Sequence, residues 1–342
     1  MSWNQIGAEF GVDGRLAALL RKSRPGPAPD PFVHGETAPG LLRNPRIPHE
    51  ATTVETSDGA LLHVREYGPP GAPPIVLVHG WACRIEYWNP QINALADRFR
   101  VIVFDQRGFG RSSQGELPFG VDVLGSDLSA VLAATVRAGE RAVLAGHSLG
   151  GIAIMSWAAQ HPDEVSRYAR AAVLIDTVAR DFALHTRLLP LPERLRPLHA
   201  YLVNRWAGQL PMPDPSLFGP VLRTHGLSAR ATRDELRFTA AIFAACPNPF
   251  RTRAVKVLST LDVGPGLSAL TVPVSIVVGS ADRLTPPSAS RQMAAMLTAA
   301  GNPPRFVVLP GLGHCSNLQD PAAVTAEIEQ LAVTAANGRA TG

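Results

Sequence analysis

Short, continuous apolar runs recur along the chain, and longer stretches of different character separate them. Each run has five or six residues and is rich in valine, isoleucine and leucine. Runs of this length predict strands that are buried on both faces, as in a parallel sheet. The predicted buried strands are residues 74–78, 100–104, 141–145, 171–175, 273–278 and 305–309. Residues 60–67 instead alternate apolar and polar side chains, which predicts an edge strand.

Helix-like stretches lie between these runs, at residues 122–137, 149–160, 288–300 and 321–335. Strands that alternate with helices indicate an α/β fold with a mostly parallel sheet and helices on both faces. The interval 177–272 interrupts this rhythm. It is rich in proline and arginine, with helical pieces near 187–202 and 231–245, and predicts an inserted helical lid. The predicted core is therefore residues 51–176 together with 273–342.

The first fifty residues predict a short helix followed by an irregular arm. Residues 1–22 place apolar side chains on a rough stripe that three glycines interrupt, and residues 24–48 are rich in proline and glycine. Such a helix docks either on the protein body or on a membrane surface. Docking on protein is the favoured interpretation, since surface-bound amphipathic helices are usually more basic and less broken.

Composition excludes several classes of protein. The chain has 342 residues, 46% hydrophobic and 18% charged, and a formal net charge of +4. No run of five basic residues occurs, so a nucleic-acid partner is not expected. Three separated cysteines show no metal or redox spacing, and we expect no cofactor and no metal. No signal peptide or transmembrane segment is evident, which predicts a cytoplasmic protein.

The central chemical motif is Gly146-His147-Ser148-Leu149-Gly150, which follows a predicted strand and opens a predicted helix. This G-x-S-x-G pattern in a strand-turn-helix context is a nucleophile elbow, with small residues where the tight turn leaves no room for side chains. We therefore predict that Ser148 is a catalytic nucleophile.

A serine nucleophile needs a base, and that base needs an orienting acid. Asp282 and His314 each follow a predicted strand and occur after Ser148 in the order acid, then histidine. We predict that His314 is the base and Asp282 the acid. Asp176, which also ends a predicted strand, is the alternative acid.

Three neighbouring residues have alternative roles. His79 and His147 are possible bases, but their positions favour structural hydrogen bonding. Cys315 is a possible nucleophile, although packing of a buried thiol is the favoured interpretation.

The chain resembles the α/β-hydrolase superfamily over roughly residues 52–335. The matching segments are Val78-His79-Gly80-Trp81, residues 104–112, the elbow, Gly279-Ser280-Ala281-Asp282 and Gly313-His314. The resemblance implies a sheet of eight strands, with the lid after the sixth strand. It also implies an oxyanion hole made by the backbone N–H groups of Trp81 and Leu149. In relatives residues 104–112 are a structural turn, which implies that Asp105 pairs with Arg107.

The resemblance implies hydrolysis of a carboxylic ester-like bond, such as an ester, lactone or thioester. The expected partner is a small, apolar acyl substrate, in a pocket provisionally lined by Trp81, Phe182, Leu188 and Phe243. Two alternatives stay open: a cofactor-free perhydrolase or haloperoxidase-type activity, and a hydrolase-fold ligand receptor with little turnover. Peripheral membrane contact through residues 1–22 is a further alternative, and the oligomeric state is open.

Overall fold

An eight-stranded sheet forms the centre of the protein. The computed structural model describes residues 40–188, 191–206, 221–246, 256–258 and 261–337. The strands are β1 (His49–Glu55), β2 (Leu61–Tyr67), β3 (Pro74–Val78), β4 (Arg100–Phe104), β5 (Ala142–His147), β6 (Ala169–Ile175), β7 (Val274–Gly279) and β8 (Arg305–Leu309). Their spatial order is β1-β2-β4-β3-β5-β6-β7-β8. The first two pairings, β1 with β2 and β2 with β4, are antiparallel, and all the others are parallel.

Helices connect the parallel strands, as right-handed crossovers require. In chain order they are α1 (Asn89–Leu95), α2 (Val121–Thr135), α3 (Leu149–Gln160), α4 (Pro162–Tyr168), α5 (Phe182–His185), α6 (Arg196–Trp206), α7 (Arg233–Ala245), α8 (Gly264–Ala269), α9 (Pro287–Ala299), α10 (Ser316–Gln319) and α11 (Pro321–Asn337). None of the described helices is long and apolar enough to cross a membrane.

The central strands are buried throughout. Every residue of β3, β4 and β5 is buried, because helices cover both faces of the sheet. The bounds of β3, β4, β8 and α3 coincide with the predicted segments. The predicted α/β fold with a mostly parallel, eight-stranded sheet is therefore confirmed.

The edge of the sheet was predicted at the wrong strand. β2 lies between β1 and β4, so the edge on that side is β1. In β1 only Val54 is buried and the other side chains are exposed. Because six of its seven side chains are exposed, β1 has no apolar period, and for this reason residues 49 and 50 were assigned to the arm. Antiparallel pairing with β2 creates the strand instead.

The segment between β6 and β7 contains α5 to α8, a 3₁₀ turn at Glu193–Leu195 and a π-helical turn at Leu222–Gly226. The predicted helical piece near 187–202 starts later than expected, because α6 begins at Arg196 and extends to Trp206. α7 begins with a capping box in which Thr232 and Glu235 each accept the other's backbone N–H. The division into core and lid stays a prediction. The predicted helix at 1–22 lies outside the described residues.

Gly150 holds the elbow against the neighbouring strand. A Cβ atom at this position would lie 2.0 Å from the carbonyl oxygen of Val78, which is backbone of β3. The first turn of α3 therefore contacts β3 directly, and only glycine permits this approach.

We expect Gly150→Ala to destabilise the fold by at least about 2 kcal/mol, because the added methyl group forces the backbone of α3 away from β3. Gly71→Ala is the matched control, since a Cβ atom there meets nothing within 4 Å. Urea denaturation of both variants measures the free energy of unfolding. Equal stability of the two variants would contradict the close approach.

Candidate active site

Ser148 lies in a strained turn between β5 and α3. Its backbone has φ 52° and ψ −115°, outside the regions that non-glycine residues normally adopt. The N–H of Ser148 donates to the carbonyl of Ile175 in β6 at 2.9 Å, which helps to fix this conformation. Strain of this kind is typical of functional sites, and here it projects the serine from the carboxyl edge of the sheet.

His314 and Asp282 stand beside Ser148 in the order that the sequence predicts. The Nε2 atom of His314 lies 3.0 Å from the Oγ atom of Ser148. The Nδ1 atom of the same ring lies 2.9 Å from Oδ2 of Asp282. Nδ1–H therefore donates to the carboxylate, and the neutral ring leaves Nε2 as an acceptor for the serine proton. The arrangement can activate a hydroxyl group as a nucleophile.

Asp282 is held by donors from its own loop. Its Oδ1 atom accepts the N–H groups of Leu284 at 2.8 Å and Thr285 at 3.0 Å. The Thr285 hydroxyl donates to Oδ2 at 2.7 Å and lies 3.1 Å from Nδ1 of His314. Sequence reasoning missed Thr285. The signal that could have found it is its place three residues after the acid, where a hydroxyl can return to the carboxylate.

The loop that carries His314 is held on both sides. The N–H of Gly313 donates to Oε1 of Gln319 at 2.9 Å, and the N–H of Cys315 donates to the carbonyl of Gly226 at 2.8 Å. Gln319 also donates to Oγ of Ser228 at 2.9 Å. Both supports lead to residues 226–228 of the segment between β6 and β7. That segment therefore positions the histidine as well as bordering the site.

Asp176 connects two of the loops that meet at the site. Its carboxylate accepts the N–H of Gly279, at the end of β7, at 2.8 Å and the N–H of Ser316 at 3.1 Å. Burial and the nearby Asp282 charge raise the pKa of Asp176 above its ordinary value. The carboxylate that is hydrogen-bonded to His314 is that of Asp282. Asp176 instead ties together the loops that carry the acid and the histidine.

Two carboxylates act on the protonation of His314. Burial by itself lowers the pKa of the imidazole, but the adjacent Asp282 carboxylate and the charge of Asp176 outweigh burial. The pKa of His314 therefore lies above the ordinary value of 6.5. The imidazolium form, which appears whenever the base has taken a proton, is stabilised by the same charges.

His79 and His147, the two alternative bases, have hydrogen-bonding partners of their own. His147 directs Nε2 at the carbonyl of His314, at 2.8 Å, and at the hydroxyl of Tyr87, at 3.1 Å. His79 directs Nδ1 at the carbonyl of Gly80, at 2.8 Å, and Nε2 accepts the N–H of Gln106 at 3.0 Å. Burial lowers the pKa of His79 to about 4 and that of His147 well below 6.5. Both rings therefore favour the neutral form.

Cys315 is buried, and burial raises the pKa of its thiol to about 12. The thiolate, which is the reactive form, is therefore scarce at neutral pH.

Among the described residues, no group of three or more His, Cys, Asp or Glu side chains is arranged to bind a metal ion.

The loop after β3 passes directly over the elbow. A Cβ atom at Gly80 would lie 2.7 Å from Nδ1 of His147 and 3.3 Å from Cβ of Ser148. Trp81 follows at once, and Ala82 has a positive φ of 56°. The Leu149 N–H, in the first turn of α3, has no acceptor within its own helix. Backbone donors at 81 and 149 therefore lie on the two segments that border Ser148.

The sequence profile of the alpha/beta hydrolase family matches residues 75–328, which is more than half of the chain and includes the elbow, Asp282 and His314. The chain belongs to this family. A thermophilic esterase of Thermogutta terrifontis has the same fold, with 24% identity and a TM-score of 0.66 over 84% of this chain and 99% of that one.

Hydrolases of several kinds are similar in sequence. A pimeloyl-(acyl-carrier protein) methyl ester esterase of Edwardsiella ictaluri is 27% identical over 73% of this chain and 90% of that protein. A putative carbamate hydrolase of Caulobacter is 28% identical over 80% of this chain and 95% of that protein. A non-heme chloroperoxidase of Streptomyces lividans is 36% identical, but over 37% of this chain and only 44% of that protein.

The predicted pocket residues are only partly brought together. The rings of Trp81 and Phe243 meet edge to face, with centroids 5.8 Å apart. Phe182 belongs to the main hydrophobic core, whereas Leu188 lies on the surface, 37% exposed. A pocket role for Phe182 and Leu188 stays a prediction.

The expected pairing of Asp105 with Arg107 is wrong. Arg107 pairs with Asp127 and with Asp58, while Asp105 accepts the backbone N–H groups of Ile85 and Arg111. Asp58 lies in the turn between β1 and β2, and Asp127 lies on α2. Arg107 therefore connects elements that are distant in sequence, which no local motif reveals.

The two acids can be distinguished by substitution. We expect Asp282→Asn to lower kcat by about 10⁴, because the amide fixes the wrong imidazole tautomer. Asp176→Asn should keep kcat within about tenfold of the parent value. The side-chain amide introduced at position 176 has only one oxygen, so its NH2 group would face one of the two backbone N–H groups that the carboxylate accepts. This lost hydrogen bond should lower the free energy of unfolding by about 1–3 kcal/mol. Steady-state kinetics with urea denaturation measure both effects, and the reverse ranking of kcat would make Asp176 the acid.

The pH dependence of hydrolysis reports the pKa of His314. We expect kcat/KM to rise with pH through a midpoint above 6.5, because the base must be neutral to accept a proton. Asp176→Asn removes a negative charge that favours the imidazolium form, so the midpoint should move to lower pH. A parent midpoint below 6.5 would show that burial outweighs the two carboxylates.

Proposed function

We propose that the protein is a serine hydrolase that cleaves carboxylic ester-like bonds through an acyl-enzyme on Ser148. The observation that carries this proposal is the continuous chain from Ser148 Oγ to His314 Nε2, at 3.0 Å, and from His314 Nδ1 to Asp282, at 2.9 Å. Both distances are hydrogen-bonding distances. The site is therefore preorganised for proton transfer from the serine.

The proposed reaction has two halves. In the first, Ser148 Oγ attacks the carbonyl carbon while its proton passes to His314 Nε2. Collapse of the tetrahedral intermediate expels the alcohol, which takes that proton from His314. In the second half, water attacks the acyl carbon and its proton goes to His314. The proton then returns to Ser148 Oγ as the carboxylic acid leaves. Asp282 stabilises the imidazolium in both halves.

Backbone donors would stabilise the negative charge on the carbonyl oxygen. We assign this role to the N–H groups of Trp81 and Leu149, because both segments border Ser148. One oxyanion donor is typically worth about 10²–10³ in kcat. Neither donor depends on a side chain, so the strained loop around Ala82 and the elbow would set their directions.

The acyl group is proposed to be apolar. Trp81 is partly buried and meets Phe243 of α7, so this pair would line an apolar wall beside the elbow. The triad and the esterase relative support cleavage of an ester-like bond, and the carbamate hydrolase relative makes carbamates a further class of substrate to test.

A peroxide-dependent activity is the second candidate function. It is favoured by the 36% sequence identity to a non-heme chloroperoxidase over 127 residues. In that reaction hydrogen peroxide would replace water in the second half and release a peracid from the acyl-enzyme. Halide oxidation by the peracid in the presence of acetate and peroxide measures it.

The first experiment is hydrolysis of p-nitrophenyl esters from two to about sixteen carbons, a chain-length range chosen to size an apolar pocket. We expect measurable turnover that Ser148→Ala abolishes, since no other described hydroxyl stands at His314 Nε2. Ser156→Ala is the matched control, because this buried serine on α3 donates to the carbonyl of Val121. Tight binding of esters without turnover would instead support a ligand receptor.

A further inference from the structure

Large apolar side chains are exposed in one short stretch of the segment between β6 and β7. Half of the large exposed apolar residues in the described part of the chain fall between residues 184 and 201, and the others are scattered. The exposed fraction reaches 47% for Leu198 and 63% for Tyr201. The members, here called the lid patch, are Leu184, Leu188, Leu191, Leu195, Leu198 and Tyr201.

Hydrogen bonds hold the two helices of the lid patch together. The Arg196 guanidinium on α6 donates to the carbonyl of Leu184, and also to that of His185 at 3.4 Å. The Nδ1 atom of His199 faces the carbonyl of Ala183 at 3.2 Å. His199 and Ala200 are buried, whereas Leu198 and Tyr201 are exposed. The leucines thus lie on the outer side of a connected structure whose inner side is already packed.

The lid patch is surrounded by positive charge. Between residues 182 and 206 the chain has four arginines and a single acidic residue, Glu193. Glu193 forms an ion pair with Arg196 at 2.8 Å. Arg187, Arg194 and Arg205 are all exposed to solvent. An apolar surface with an arginine rim complements a surface of apolar chains and anionic headgroups.

The lid patch begins next to the candidate active site. The N–H of Arg187 donates to the carbonyl of Arg283 at 2.7 Å, and Arg283 follows Asp282 directly. The start of the lid patch is therefore hydrogen-bonded to the loop that carries Asp282.

We propose that the lid patch binds an anionic lipid surface. The leucines enter the boundary between headgroups and acyl chains, and the arginines contact phosphate groups while their stems cover apolar surface. A protein partner fits less well, because leucine is under-represented among the residues that dominate protein interfaces. A second copy of the chain would oppose like charges across a symmetric interface. This proposal does not rest on the proposed function.

Vesicle sedimentation of the full chain tests the proposal. We expect binding to phosphatidylglycerol vesicles that falls at least tenfold for phosphatidylcholine vesicles and weakens as salt is raised. The double variant Leu195→Ser/Leu198→Ser should lose at least tenfold in binding. Arg194→Gln/Arg205→Gln should remove much of the dependence on salt. Leu117→Ser is the matched control, since Leu117 is 54% exposed but lies outside the lid patch.

Hydrolysis of soluble p-nitrophenyl acetate is measured for the same variants. Unchanged turnover together with lost vesicle binding supports the lid patch and separates it from the proposed chemistry. Equal vesicle binding by the parent and the leucine variant would overturn the proposal and assign binding to another part of the chain. Absence of binding by the parent would also overturn it, as would a concentration-dependent dimer that the leucine variant abolishes.

Discussion

The turn from β5 into α3 leaves no space for side chains at Gly146 or Gly150, and the rest of the site is arranged around it. A Cβ atom at Gly146 would lie 2.5 Å from the backbone of Gly150, and one at Gly150 only 2.0 Å from β3. This close approach forces Ser148 into its left-handed conformation and directs it from the carboxyl edge of the sheet. Parallel strands bring their carboxyl ends to one edge, so β6, β7 and β8 deliver the remaining groups to the same place.

The pKa of His314 depends on two buried carboxylates, Asp282 and Asp176, which have different structural roles. The Asp282 carboxylate accepts hydrogen bonds from four donors, one of which is Nδ1–H of the His314 ring. These hydrogen bonds stabilise its negative charge. Asp176 accepts N–H groups from the loops that carry Asp282 and His314, so it fixes their spacing without a hydrogen bond to the ring. A left-handed backbone at Asp176, with φ 44°, aims its side chain into this position. Strain at Ser148 and at Asp176 thus supports a single geometry.

The segment between β6 and β7 contributes to the site at two levels. Its residues Gly226 and Ser228 support the loop of His314, the latter through Gln319. Its outer leucines and arginines form the surface proposed to meet lipid. Because the inner contacts are hydrogen bonds that support the loop of His314, this part of the segment is a component of the candidate site.

The sequence by itself determined the strand pattern, the elbow and the order serine, acid, histidine, because each depends on neighbouring residues. Burial on both faces produces continuous apolar runs, and a tight turn requires glycines within a few positions of Ser148. Tertiary structure alone decided that Asp282 contacts His314, that Thr285 and Gln319 support the site, and that β1 forms the edge. It also paired Arg107 with Asp58 and Asp127 instead of Asp105. The Arg107 pairs and the contacts at His314 join residues that are distant in sequence, so no local pattern reveals them. The side chains of β1 are mostly exposed and show no apolar period, so its place at the edge follows only from its pairing with β2.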